Sequence, residues 1–132
     1  FMSKKEIKLL NEDNRGKIEQ LCDNVLMINS YRGAIRANHW HRCFGHWSLV
    51  THGSITYFER SINSLDKPIM NKFVEGDLFW TPPLYSHCMK FEEFDKNEFY
   101  CFSDGSREQK NYENDTIKLD YDLSEVYDNW KD

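Results

Sequence analysis

The stretch at residues 38–46, NHWHRCFGH, holds three of the chain's five histidines. His39 and His41 stand two apart, the spacing that sends two side chains to one face of a β-strand. Gly45 then offers a turn, so that His46 opens a new strand with Ser48 and Val50 on its own face. Far downstream, His87 alternates with Met89 and Phe91. If these strands close into a small barrel, His39, His41, His46 and His87 converge on its interior. Four neutral imidazoles can bind a first-row transition metal, whereas Mg and Ca prefer oxygen ligands.

The flanking residues support that barrel. NVLMINS at 24–30, AIRANHWH at 34–41, HWSLVTH at 46–52 and GSITYFERS at 53–61 are rich in β-branched and aromatic residues. PIMNKFV at 68–74, DLFWT at 77–81, SHCMKFEE at 86–93 and NEFYCFS at 97–103 continue the series. Gly53, the EGD turn at 75–77 and the Pro82-Pro83 pair punctuate it. Short strands at such spacing predict an all-β sandwich or barrel. The opening segment SKKEIKLLNEDN at 3–14 reads as polar surface, with ordered chain beginning at NRGKIEQL. The segment REQKNYENDT at 107–116 reads as a solvated loop or an arm packed across the barrel. The tail DLSEVYDNWKD at 122–132 reads as a short helix capped by Asp122 or Ser124.

A chain of 132 residues is the size of one domain, here residues 1–132 with a core at about 15–119. Aromatic residues make up 15%, enough to fill such a core. The net charge of −5 argues against nonspecific nucleic-acid binding, which needs a basic surface. No apolar run reaches the length of a membrane span. The first residues lack the succession of a secretory leader, and the four cysteines form no CxxC pair. Reduced thiols in the cytoplasm are therefore the expectation. Cys43 is expected as a buried inert thiol, and His52, just before Gly53, as a turn residue.

The histidine spacing resembles the cupin family. The first motif of that family is glycine, five residues, His-x-His, three or four residues, glutamate, six residues and glycine. Here Gly33, His39-Trp40-His41, His46 and Gly53 follow it, with His46 where glutamate is usual. The second motif is glycine, five residues, proline, one residue, glycine, two residues and histidine. Gly76, Pro82 and His87 match it, with Leu84 where the glycine is usual. The resemblance implies a double-stranded β-helix with a short C-terminal helix or arm. It also implies a divalent metal (Zn, Mn, Fe or Ni) on His39, His41, His46 and His87.

A narrower resemblance covers most of the chain. DNRGKI is similar to the Asp-x-Arg-Gly element of nucleotide-sugar epimerases and ketoisomerases. RANHWH at 36–41 is similar to the Arg-Gly-x-His-Ala-His stretch of sugar 3,4-ketoisomerases. FWTPPLYSH and REQKNYENDT resemble stretches of single-domain cupins of polysaccharide biosynthesis. This implies a small-molecule substrate, a sugar or nucleotide sugar, and an isomerase- or epimerase-like reaction.

Two chemistries follow for the same imidazoles. In one they hold the metal, and Tyr85 or Tyr57 moves the proton. In the other, metal-free, His39 and His41 are base and acid for the proton beside a ketone. Arg36 would hold a phosphate or polarise the keto oxygen, with Arg32 and Arg15 as weaker candidates. Trp40, Tyr57, Trp80 and Tyr85 could stack on a base or sugar. Strand parity, however, turns Arg36 away from His39 and His41 unless a bulge intervenes. A sugar-binding cupin without catalysis is the third reading. Trp130 and Tyr127 in the tail point to a homodimer.

Overall fold

The computed structural model describes residues 6–103 and 109–132. Residues 3–5 of the polar opening and 107–108 of the REQKNYENDT segment lie outside that range. Among the described residues the chain forms two antiparallel sheets. The six-stranded sheet has the order β1 (Lys8–Asp13), β2 (Gly16–Cys22), β3 (Val25–Tyr31), β10 (Lys96–Ser103), β5 (His46–His52) and β8 (Leu78–Thr81). The five-stranded sheet has the order β11 (Thr116–Lys118), β4 (Ile35–His41), β9 (Tyr85–Lys90), β6 (Ser54–Ser61) and β7 (Ile69–Val74). Two short helices, α1 (Gln109–Asp115) and α2 (Leu123–Asp128), flank β11. This is the expected all-β jelly-roll architecture.

Inward and outward residues alternate as the sequence pattern demands. On β3 the buried positions are Leu26, Ile28 and Ser30, and on β10 they are Asn97, Phe99, Cys101 and Ser103. Val50, Ile55, Phe79, Phe91 and Phe99 pack together between the sheets. Full burial of side chains of this size contributes roughly 1.5–3 kcal/mol each. The inward row of each strand changes character along its length. Val50 gives way to Ser48 and His46, Phe79 to Thr81, Phe91 to Met89 and His87. Pairing aligns these changes: Phe99 lies opposite Val50, Cys101 opposite Ser48, and His46 opposite Thr81. One end of the barrel is therefore dry and apolar, the other polar and imidazole-rich.

Three local features depart from the sequence reading. β1 is a strand within the segment read as polar surface, and its pairing with β2 begins the ordered chain earlier than expected. All six of its residues are exposed, so no hydrophobic alternation could announce it. The segment at 107–116 is not a loop where it is described. It forms α1 and enters β11, which pairs with β4 through Thr116 opposite His41 and Lys118 opposite His39. Cys43 is exposed rather than buried.

The tail helix forms as expected, with the Asp122 carboxylate accepting from the Ser124 backbone N–H at 2.9 Å. Leu84, in the motif's glycine position, adopts φ +66°, the left-handed conformation that a glycine takes freely. The turn is thus kept, with a strained residue in it.

Candidate metal centre

β4 and β9 lie side by side, and His39 pairs directly with His87. His41 follows two residues later on the same face. The ligand atoms of His39, His41 and His87 all lie within 4.8 Å of one another. Their ring centroids are 4.6 Å apart for His39 and His41, 4.7 Å for His39 and His87, and 5.2 Å for His41 and His87. His46 comes from β5 of the opposite sheet. Its ring centroid is 4.3 Å from that of His41, but its nitrogens fall outside the three-histidine group. Its Nδ1 lies 3.5 Å from the Cys101 Sγ. The structure thus gathers three histidines into one group and sets the fourth beside them.

The outer nitrogens of two of these rings are held from behind. His87 Nδ1 donates to the Tyr85 carbonyl at 3.1 Å, which leaves the lone pair on Nε2. His41 Nδ1 lies 3.1 Å from the Thr116 hydroxyl, with Asp115 Oδ2 at 3.8 Å. Asp115 is itself fixed by the Cys43 N–H at 2.7 Å. Burial pushes the His87 imidazole down to about 3, reinforced by repulsion from His41 and opposed by the Tyr85 carbonyl. His87 is therefore neutral at pH 7, the form that ligates a metal. Three clustered imidazoles, two of them with oriented outer nitrogens, match what a divalent transition ion requires.

The cluster lies in a cavity of about 500 Å³ whose walls also include Arg36, Thr81, Met89, Tyr112 and Lys118. Arg36 reaches it through a bulge. Ala37 and Asn38 both take positive φ, +63° and +59°, and the β4–β9 register slips between Ala37 and His39. Arg36 is then opposite Met89 and His39 opposite His87, so both face inward despite their parity.

The remaining candidates are placed differently. Tyr57 is buried, and its hydroxyl lies 2.7 Å from Glu59 Oε1 and 2.8 Å from Thr81 Oγ1. Burial pushes this phenol above its usual range, with the Glu59 charge adding to the effect. Trp80 is directed outward and packs on Trp47 with centroids 5.0 Å apart. Tyr85 is exposed at the start of β9, and its carbonyl rather than its phenol serves the site. Arg15 is taken by Asp13 at 2.6 Å, and Arg32 by the Glu93 carbonyl at 2.9 Å and Asp95 at 3.3 Å. His52 is exposed, 3.8 Å from Glu75.

Sequence reasoning overlooked Tyr112, Asp115 and Thr116. The Tyr112 ring lies 6.4 Å from His39 and 6.0 Å from His41. The one signal for these residues was the resemblance of REQKNYENDT, which charge alone disguised as a loop.

The family model described as Cupin matches residues 4–121. The chain belongs to the cupin family. No curated protein matches this cupin closely enough to count as a relative. Among solved structures it is similar to the capsular polysaccharide assembling protein CapF from Staphylococcus aureus. The identity is 19% and the TM-score 0.79, covering 89% of this chain and 33% of that one. A structure of CapF with the inhibitor 3-isopropenyl-tropolone is similar at 20% identity and TM-score 0.77, covering 88% and 34%. A tryptophan-to-phenylalanine variant of oxalate decarboxylase from B. subtilis is similar at 23% identity and TM-score 0.62, covering 86% and 30%. The cupin thus spans about a third of the length of these structures, which share its fold. No described helix is long and apolar enough to cross a membrane.

Proposed function

We propose that this cupin holds one divalent transition metal ion on His39, His41 and His87 and acts on a carbohydrate or nucleotide sugar as an isomerase- or epimerase-like enzyme. The observation that carries the metal site is the cluster itself, with all ligand atoms within 4.8 Å and His87 held neutral and oriented. Such an ion supplies a Lewis acid when bound. The carbohydrate context is supported by the ketoisomerase-like and polysaccharide-biosynthesis-like stretches and by the CapF fold.

The chain's own contribution is orientation and exclusion of water. Thr116 and the Tyr85 carbonyl fix two rings, and the apolar end of the barrel closes the cavity from below. Tyr112 lines the same cavity and is the phenol this reading assigns to proton transfer. The Tyr57 hydroxyl is bonded to Glu59 and Thr81. A homodimer belongs to the same proposal. Phe102 pairs with Val25 and with Trp47, and Trp47 pairs with Trp80, which forms an apolar row across the outer face of the six-stranded sheet. Light scattering of the wild type and Trp80→Glu tests it.

Elemental analysis of protein purified without chelator or a metal-carrying tag tests the site. About one equivalent of one transition metal, lost in His39→Ala and His87→Ala but retained in His46→Ala, is the expected result. No metal, and none taken up on soaking with Zn, Mn, Fe or Ni, refutes it and returns His39 and His41 to an acid/base role. Product formation from a panel of 4-keto nucleotide sugars then separates enzyme from binding protein.

A further inference from the structure

The cavity has a charge character opposite to that of the protein around it. The chain carries −5 overall. Its cavity wall includes Arg15, Arg36 and Lys118, and no aspartate or glutamate among the described residues. Arg15 is neutralised by Asp13, which leaves Arg36 as the buried cation.

Arg36 is only 5% exposed. Its side chain crosses from β4 in one sheet to β3 in the other. Nε donates to the Ser30 hydroxyl at 2.6 Å and one Nη donates to the Asn29 carbonyl at 3.0 Å. Both acceptors are uncharged, and no described carboxylate lies within ion-pair distance. A guanidinium carries five N–H donors in a planar fork. A buried charge without a counter-charge is unfavourable, and an anion entering the cavity removes that penalty. Burial brings the guanidinium down to about 10, so it is fully charged at neutral pH.

We propose that the cavity takes a small anionic ligand whose carboxylate or phosphate group is held by Arg36 while its remainder lies against His39, His41 and His87. Arg36, His39, His41 and His87 line one cavity of about 500 Å³, which is room for one sugar ring bearing one acidic group. The inference deepens the reading of the site as one for carbohydrate, and its Arg36 half stands without the metal.

The test is calorimetric titration of wild type and Arg36→Met with glucose 6-phosphate, glucuronate, inorganic phosphate and neutral glucose. Metal content is measured on each sample. Saturable binding of at least one anionic probe is expected, weakened by added NaCl and at least tenfold weaker in Arg36→Met. Neutral glucose should bind more weakly than that anion. Which probe binds distinguishes phosphate from carboxylate. The ligand-free melting temperature of Arg36→Met should not fall, whereas a purely sheet-bridging arginine would lower it.

Equal affinity of the anions for both proteins, no anion binding to wild type, or a lowered melting temperature with unchanged anion binding overturns the proposal. Should Arg36→Met not fold, Arg36→Gln replaces it, and unchanged anion affinity there is equally fatal. Absence of metal with anion binding intact would instead defeat the metal reading and leave this one standing.

Discussion

His87 links the chemistry of the site to the stability of the fold. Its ring is buried against His39 and His41, and it is held down to about 3 against an ordinary value of 6.5. Between those two values the unfolded chain binds one proton that the folded chain does not. Stability is then fully present above pH 6.5 and falls as the pH drops, by up to about 1.4 kcal/mol per unit, until the folded value near 3 is reached. From pH 7 to pH 5 the loss integrates to about 2 kcal/mol from this one ring.

The assay is urea denaturation of chelator-treated wild type and His87→Gln at both pH values. Glutamine keeps an N–H for the Tyr85 carbonyl and removes the titration. Carboxylates that titrate over the same range affect both proteins alike, so the difference of differences isolates the imidazole. With an m-value of about 2 kcal/mol/M, the wild-type midpoint should fall by about 1 M more than that of the variant. Parallel losses in the two proteins, within about 0.5 kcal/mol, would show that His87 accepts a proton in the folded state. The claim that burial keeps it ready to ligate a metal would then fail.

Three further outcomes are expected. Ala37→Gly relieves a positive φ at the position where the ketoisomerase-like stretch carries glycine, and should stabilise the protein by about 0.5–1 kcal/mol in urea denaturation. Asn97→Ala removes bonds to the Ser54 N–H and to the Ser30 and Phe94 carbonyls, and should destabilise by at least about 2 kcal/mol. Thr116→Val should weaken metal affinity by about 10–100-fold in competition with a chelating dye, with the melting temperature of the metal-free protein nearly unchanged.

The barrel and the histidine group were legible because each rests on short-range rules. Two-residue alternation put His39 and His41 on one face, and the motif spacings brought Gly33, Gly53, Gly76, Pro82 and His87 into register with a known family. The same alternation, applied to Phe79-Trp80-Thr81, explains why Trp80 is directed outward. It misplaced Arg36, because the extra residue in β4 shows only as backbone dihedrals at Ala37 and Asn38. The contributions of Thr116 and Asp115 could not be read locally. They depend on β11 joining β4 across 75 residues of chain. An all-exposed strand such as β1 leaves no apolar pattern at all.

The bulge in β4 divides that strand into two reading frames. Upstream of it the even-numbered side chain, Arg36, faces the cavity; downstream the odd-numbered His39 and His41 do. Ala37 and Asn38 together fill the place of one residue opposite Cys88. A chain one residue shorter there could run straight and still present both the arginine and the histidines inward. A chain of the same length that ran straight would turn Ile35 and Ala37 inward and send Arg36 to the surface, with both histidines left in place. The cavity would then lose its buried cation without a single substitution inside the barrel. Two left-handed residues on one strand thus decide whether the arginine faces the cavity, independently of the groups that would bind a metal.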